Sequence, residues 1–364
     1  MIFCDLHKQY EAYRDEIDEA IQGVIRSASF INGKDILYLE EELSARTGVK
    51  NAITCCSGTD ALLLPMMAWG IGPGDEVICP AYSYIATASM VSLLKARPVF
   101  ADVNSHDFNI NLEKIEEKIT ARTKGIIAVS LFGQCADYDA INALAAKHGL
   151  WVIEDAAQSF GATYKGKPSC SLTTVGTTSF FPAKPLGCYG DGGALFTSDD
   201  RLADTIRMIR GHGQEKRYIH KRIGINGRID TMQAAILRVK LKYFDQELKV
   251  RQQAAAHYTE LLQHLVTTPA VAEQKTSTWA QYTIRTSQRD RLRSKLQARN
   301  IPTAIHYPLP LPRQEAFAPD VIPGETFPVA DELARTVLSL PMHGFITAEE
   351  VSQVAAAIRD CLNS

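Results

Sequence analysis

Two residues in the middle of the chain carry side chains suited to amine chemistry on a flat, charged ring. Asp155 follows the apolar run Trp151-Val152-Ile153-Glu154 and precedes Ala156-Ala157-Gln158. Ligands of open α/β sheets sit beyond the carboxyl ends of the strands. A carboxylate at such an end can hold the protonated nitrogen of a pyridine ring and make the ring an electron sink; it can equally cap a helix N-terminus. Lys184 stands in Ser179-Phe180-Phe181-Pro182-Ala183-Lys184-Pro185-Leu186-Gly187. A lysine among aromatic, proline and glycine residues is partly desolvated, which lowers the amine's pKa and makes it nucleophilic. The ordinary alternative is a stem packed on Phe180 or Phe181 with the amine in water. Lys184 and Asp155 lie about one βαβ unit apart, and together they point to pyridoxal phosphate (PLP).

Weaker signals agree with that pair. Ser57-Gly58-Thr59-Asp60-Ala61-Leu62 falls between a strand-like and a helix-like stretch. Small residues there free backbone N–H groups at a helix N-terminus, which suits a phosphate, although Ser57 or Thr59 can also be a plain cap. Ser179 can add a hydroxyl to the same phosphate or be an ordinary strand serine. Tyr84, in Pro80-Ala81-Tyr82-Ser83-Tyr84, can stack on a cofactor ring or simply line the rim of a core.

The elements that must position these residues are legible as periodicity. From Asn51 to Phe196, short apolar runs (51–54, 76–78, 98–100, 125–129, 150–153) alternate with helical stretches such as Ala136 to His148, which Gly149 ends. This rhythm predicts an α/β fold, a mainly parallel sheet covered by helices on both faces. Residues from about Tyr10 to Ser27 form an amphipathic helix with Ile17, Ile21 and Ile25 at four-residue spacing. A helical pattern without Gly or Pro runs from about Asp230 to Leu265; beyond it lie a strand at 280–284, a proline-rich loop at 307–312 and a last helix at 348–362. The 364 residues fit two domains: 1–240, a large PLP-binding α/β domain with an N-terminal helical segment, and 241–364, a smaller C-terminal α/β domain entered through the long helix.

Composition bounds the function class. Hydrophobic residues make up 46%, charged residues 22%, and the net charge is -2, with no basic stripe for nucleic acid. No apolar run is long enough to span a bilayer and no signal-peptide pattern opens the chain, so we expect a cytoplasmic protein. The eight cysteines contain no CxxC pair, which argues for reduced thiols and against a zinc site.

Taken together, the blocks Ser57-Gly58-Thr59-Asp60-Ala61-Leu62, Gly72-Pro73-Gly74-Asp75-Glu76-Val77, Glu154-Asp155-Ala156-Ala157-Gln158, Lys184 with its flanks, Gly190-Asp191-Gly192-Gly193-Ala194 and Gly224-Ile225-Asn226-Gly227-Arg228-Ile229-Asp230 resemble the signature blocks of the DegT/DnrJ/StrS sugar aminotransferases. The resemblance runs from Asp5-Leu6 to Leu340-Pro341-Met342-His343. It implies a type I PLP aminotransferase fold and a homodimer with shared active sites. It also implies Lys184 as the Schiff-base lysine, Asp155 on the pyridine nitrogen, Gln158 on the ring hydroxyl and Tyr84 stacked on the ring. Gly58, Thr59 and Ser179 would hold the phosphate, joined by Asn226 from the other subunit, and glutamate would donate the amino group to a nucleotide-linked keto sugar.

Within the family, the blocks at 133–137, 169–175, 184–191 and 306–311 resemble a branch that aminates C3 of UDP-2-acetamido-2-deoxy-3-oxo-glucuronate for surface polysaccharide. Many relatives have Asn where Pro185 stands. The uronate needs a cationic partner, for which Arg228, reaching in from the second subunit, is the first choice because a guanidinium forks onto a carboxylate; otherwise it pairs with an acid such as Asp230. His306 and Tyr307 would lie close to the sugar. The alternatives are a UDP- or dTDP-linked 4-keto-6-deoxy hexose as substrate, and a PLP-binding regulator without catalysis. Lys184 argues against the regulator, and Gly72-x-Gly74 does not supply the glycine-rich turn of a dinucleotide-dependent oxidoreductase.

Overall fold

The apolar runs between residues 51 and 197 become strands buried on both faces. The computed structural model describes residues 1–363. Its main sheet holds β1 (Asn51–Cys55), β2 (Glu76–Pro80), β3 (Arg97–Ala101), β4 (Thr123–Val129), β5 (Trp151–Asp155), β6 (Val175–Ser179) and β7 (Gly193–Thr197). The order across the sheet is β1-β7-β6-β5-β4-β2-β3, and β7 alone of the seven runs antiparallel to its neighbours.

Alternate residues of each strand enter different cores, as a pleat of period two requires. Val77, Cys79, Ile127, Val129 and Ile153 join one core, whereas Ile78, Ile126, Ala128 and Val152 join another on the opposite face. Continuous apolar runs of this kind are what a sheet covered on both sides needs. In chain order the helices are α1 (Leu6–Ser27), which packs on α8, and α2 (Lys34–Thr47), α3 (Gly58–Trp69), α4 (Ala86–Leu93), α5 (Leu112–Glu116), α6 (Tyr138–His148), α7 (Asp200–Arg210) and α8 (Thr231–Leu262) around the sheet. Helix α6 stops as expected: Gly149 takes a left-handed φ of 67° and its N–H caps the Ala145 and Ala146 carbonyls.

Helix α8 is one uninterrupted helix of 32 residues, packed against α1 and α2. After it come β8 (Tyr282–Arg285) with α9 (Arg289–Ala298), then α10 (Pro328–Thr336), β9 (Val337–Leu340) and α11 (Ala348–Asn363). β8 and β9 pair antiparallel, and the expected strand at 280–284 is shifted accordingly. Tyr258, Tyr282, Leu340 and Ile358 centre a second core there. Leu311, Phe317, Phe327 and Leu333 instead pack into the core of the main sheet, so the chain after the proline-rich loop comes back over that sheet.

One part of the N-terminal pattern differs from expectation. Ile17 is fully buried, but Ile25 is 46% exposed. A four-residue step overshoots the 3.6-residue turn by about 40°, so two steps carry a side chain off the buried stripe. Among the described residues no helix is long and apolar enough to cross a membrane.

Gly176 in β6 sets a limit on packing between sheet and loop, since a Cβ there would lie 2.3 Å from the Cys170 carbonyl oxygen. We expect Gly176→Ala to lower the unfolding free energy by about 1–3 kcal/mol, measured by urea denaturation followed through tryptophan fluorescence. An unchanged midpoint would show that the 169–172 loop yields freely.

Candidate active site

The residues singled out by chemistry converge at the carboxyl ends of the parallel strands. Asp155 ends β5 on the same face as Ile153, turned toward α4, while Glu154 faces the other side and accepts from Ser169 Oγ at 2.7 Å and the Leu172 N–H at 3.2 Å. Asp155 is 7% exposed. Its Oδ1 accepts from the Ala157 N–H at 3.1 Å and its Oδ2 from Thr87 Oγ1 at 3.2 Å. It caps a turn, not a helix. Burial raises its pKa, and the Ala157 N–H, the charge of Lys184 and the Thr87 hydroxyl pull it back down.

Lys184 sits in the tight loop that follows β6. The loop is closed by three bonds of 2.8 Å: Lys184 N–H to Phe181 O, Cys188 N–H to Phe180 O, and Phe180 N–H to Gly192 O. Burial lowers the lysine's pKa and the Asp155 charge raises it. The lysine itself is half-buried and its neighbour Phe181 is 51% exposed, so the amine is only partly desolvated.

Ser57 caps α3, its Oγ accepting from the Asp60 N–H at 3.1 Å, so the plain-cap reading of Ser57 holds. Gly58 and Thr59 open the helix directly beneath Ser179: a Cβ on Gly58 would stand 2.5 Å from the Ser179 Cβ. Only glycine lets the helix N-terminus approach the hydroxyl of β6 so closely. N–H groups and a hydroxyl brought together in this way suit a phosphate.

Gln158 is buried, with Oε1 accepting from the Phe132 N–H at 2.6 Å and Nε2 donating to the Tyr307 hydroxyl at 3.2 Å. Its amide nitrogen keeps a second N–H for a ligand. Tyr84 is 56% exposed, with its ring 6.1 Å from that of Tyr307. His306 lies next to Tyr307, its Nδ1 2.9 Å from Ser339 Oγ. Burial, reinforced by the charge of Lys184, pulls its pKa down to about 4, so it is a neutral imidazole near pH 7.

The segment 226–228 is placed differently from this group. Asn226 is exposed and makes a backbone bridge to Gly211, while the Gly227 carbonyl accepts from the Cys56 N–H at 2.9 Å. The Nε of Arg228 is buried without a hydrogen-bond partner among the described residues, Asp230 included. A buried unpaired donor costs free energy, and the Nε of Arg251 is in the same state.

Sequence reasoning missed three residues at and after the exit of β2. Tyr82 donates to the Tyr307 carbonyl at 3.0 Å and accepts its N–H at 2.6 Å, and Ser83 lies 3.0 Å from Thr87, which touches Asp155. No spacing signals these contacts; only the run Tyr82-Ser83-Tyr84 of polar-tipped side chains at a strand end hinted at them.

A seven-stranded, mainly parallel sheet with an amine, a carboxylate and a helix N-terminus at its carboxyl edge has the architecture of a type I PLP aminotransferase. The chain belongs to the DegT/DnrJ/EryC1/StrS aminotransferase family, which matches residues 11–359. UDP-2-acetamido-2-deoxy-3-oxo-D-glucuronate aminotransferase of Pseudomonas aeruginosa is 50% identical over 357 residues, 98% of this chain and 99% of its own length. The crystal structure of S. venezuelae DesV in complex with a ketimine intermediate superposes with a TM-score of 0.97 at 39% identity, covering 100% of this chain and 98% of that one. The structure of ntda from Bacillus subtilis with bound cofactor PMP gives a TM-score of 0.93 at 29% identity, covering 100% and 85%.

The family is PLP-dependent, and the site fits that cofactor. Asp155 keeps lone pairs free beyond its two donors, Lys184 is a half-buried amine within its field, and the Gly58–Ser179 contact leaves a cradle that a Cβ would fill. We expect Gly58→Ala to weaken PLP binding by about tenfold or more, measured by absorbance titration of the apo-protein, because the helix N-terminus and Ser179 must separate. Equal affinity in the variant would place the phosphate elsewhere.

Proposed function

We propose that the protein transfers an amino group from glutamate to the C3 ketone of UDP-2-acetamido-2-deoxy-3-oxo-glucuronate, as a cytoplasmic homodimer supplying diacetamido uronic acid for surface polysaccharide such as lipopolysaccharide O-antigen. The observation that carries the uronate reading is Arg228, whose buried Nε lacks a partner and whose fork suits a carboxylate. The 50% identity to an aminotransferase of that name supports it.

When bound, PLP would supply the electron sink that lets glutamate lose its α-proton and its amino group, and the ketone gain one. Asp155 would hold the pyridine nitrogen protonated, and Tyr84 would stack on the ring. Gly58, Thr59 and Ser179 would hold the phosphate, and Gln158 would offer its free N–H to the ring hydroxyl. Lys184 Nζ takes the proton from the α-carbon of glutamate and delivers one to C3 of the sugar; its lowered pKa suits both tasks. His306, neutral, and Tyr307 flank the sugar.

Asn226 completes the phosphate site of the other subunit. Exposed apolar side chains support a dimer: Ile25, Phe30, Ile31, Leu37 and Tyr38 stand 43–60% exposed across the end of α1 and the start of α2. The division into a large domain, 1–240, and a small one, 241–364, places the boundary inside α8.

Lys184→Ala is expected to abolish turnover while PLP remains bound without a covalent link, which borohydride reduction and mass spectrometry distinguish. Sustained amination by that variant would refute the assignment. Arg228→Ala should cut kcat/KM for the UDP-3-oxo uronate by about ten- to a hundredfold and Arg228→Lys should restore part of it. An uncharged keto hexose on the same nucleotide should lose little. Products from glutamate and candidate UDP- and dTDP-linked keto sugars, identified by mass and NMR, test the substrate directly. Preference for a 4-keto-6-deoxy sugar would sink the uronate reading.

A further inference from the structure

Asp155 faces the cofactor side of the sheet, and its orientation is not left to its own strand. The pleat of β5 turns it toward α4, where Thr87 occupies the first turn, 1% exposed. Thr87 Oγ1 is 3.2 Å from Asp155 Oδ2 and 3.0 Å from the hydroxyl of Ser83, itself 3% exposed. An ionised carboxylate only accepts, so Thr87 must donate to it. With that proton committed, Ser83 must donate to Thr87. The direction of both bonds follows from the charge of Asp155 alone.

Thr87 also ties the ring-facing residue to the same turn, since its N–H donates to the Tyr84 carbonyl at 3.2 Å. One residue thus connects the group assigned to the ring nitrogen with the backbone of the group assigned to the ring face. With Oδ1 held by the Ala157 N–H, contact at Oδ2 stops rotation of the carboxylate about its last torsion.

We propose that Thr87, oriented by Ser83, is a positioning residue that holds the Asp155 carboxylate in the plane required by the pyridine nitrogen of PLP. This rests on the assignment of Asp155 to that nitrogen. The groups that face Asp155 electrostatically are Lys184 from the β6 loop, Tyr307 from the C-terminal segment, and Glu154, Tyr138 and Cys170 from the far side of the sheet. None of them replaces a hydrogen bond at Oδ2.

The test uses PLP-loaded wild type, Thr87→Val, Thr87→Ser, Ser83→Ala and Asp155→Asn. Thr87→Val keeps the shape and removes the hydroxyl. It should slow the glutamate half-reaction by about ten- to a hundredfold at saturation with KM within about twofold, and Thr87→Ser should recover to within about threefold of wild type. In the apo-proteins, removing a donor raises the carboxyl pKa, so the acidic limb of PLP affinity should move to higher pH in Thr87→Val and not in Thr87→Ser. Wild-type rates and an unmoved limb in Thr87→Val, or equal damage in Thr87→Ser, would overturn the proposal. Should Thr87→Val fail to fold, Ser83→Ala decides: a fall of about two- to fivefold at unchanged KM supports the relay, and wild-type behaviour overturns it. Asp155→Asn separates the two layers. If it is crippled while Thr87→Val is not, only the role of Thr87 fails; if Asp155→Asn matches wild type, the assignment of Asp155 falls and the proposal with it.

Discussion

A carboxylate closed off from water at the end of a sheet must be compensated on every side it faces, and Asp155 makes that demand on its surroundings. Burial pushes its pKa up, toward the neutral acid that could not stabilise a pyridinium. Three neighbours oppose the shift: a backbone N–H two residues on, the ammonium of Lys184, and a hydroxyl on α4. Each comes from a different element, so the charge survives only if β5, α4 and the loop after β6 are all in register. The adjacent Glu154 shows what happens on the opposite face. There burial raises the pKa to about 7 despite bonds from Cys170, Ser169 and Leu172, and the charge of Asp155 adds to the rise. Two neighbouring carboxylates on one strand thus have different chemistry because the pleat sends them to different sides.

The exit of β2 links that carboxylate to the rest of the site. Tyr82 locks the backbone of Tyr307, Ser83 bonds Thr87, and Tyr84 stands exposed beside Tyr307. The Tyr307 hydroxyl in turn meets Gln158 in the turn that follows β5. The C-terminal segment is therefore part of the site, not an appendage. Its apolar residues Leu311, Phe317 and Phe327 bury themselves against the main sheet and hold Tyr307 and His306 over it.

Arg228 stands apart from this network. It is placed by a segment whose backbone is fastened to the β1–α3 loop through Cys56, yet its Nε bonds to nothing among the described residues. A folded chain tolerates few such donors. The Nε of Arg251 shares that state, whereas the many surface pairs such as Lys50–Asp200 contribute little either way.

Local physics was legible in the sequence. Runs of apolar residues marked the strands, Gly149 marked the end of α6, the absence of Gly and Pro from 230 to 265 marked α8, and Asp155, Lys184 and the Ser57-Gly58-Thr59 turn stood out at strand ends. These signals act over one or two turns of chain, so they survive without knowledge of the fold. What only the tertiary structure decided spans far greater separations. Thr87 meets Asp155 across 68 residues and Tyr82 meets Tyr307 across 225, contacts created by the order of strands in the sheet. The same holds for which of Glu154 and Asp155 faces α4 and for the exposure of Ile25, because periodicity gives a side chain its face but only packing says what lies opposite.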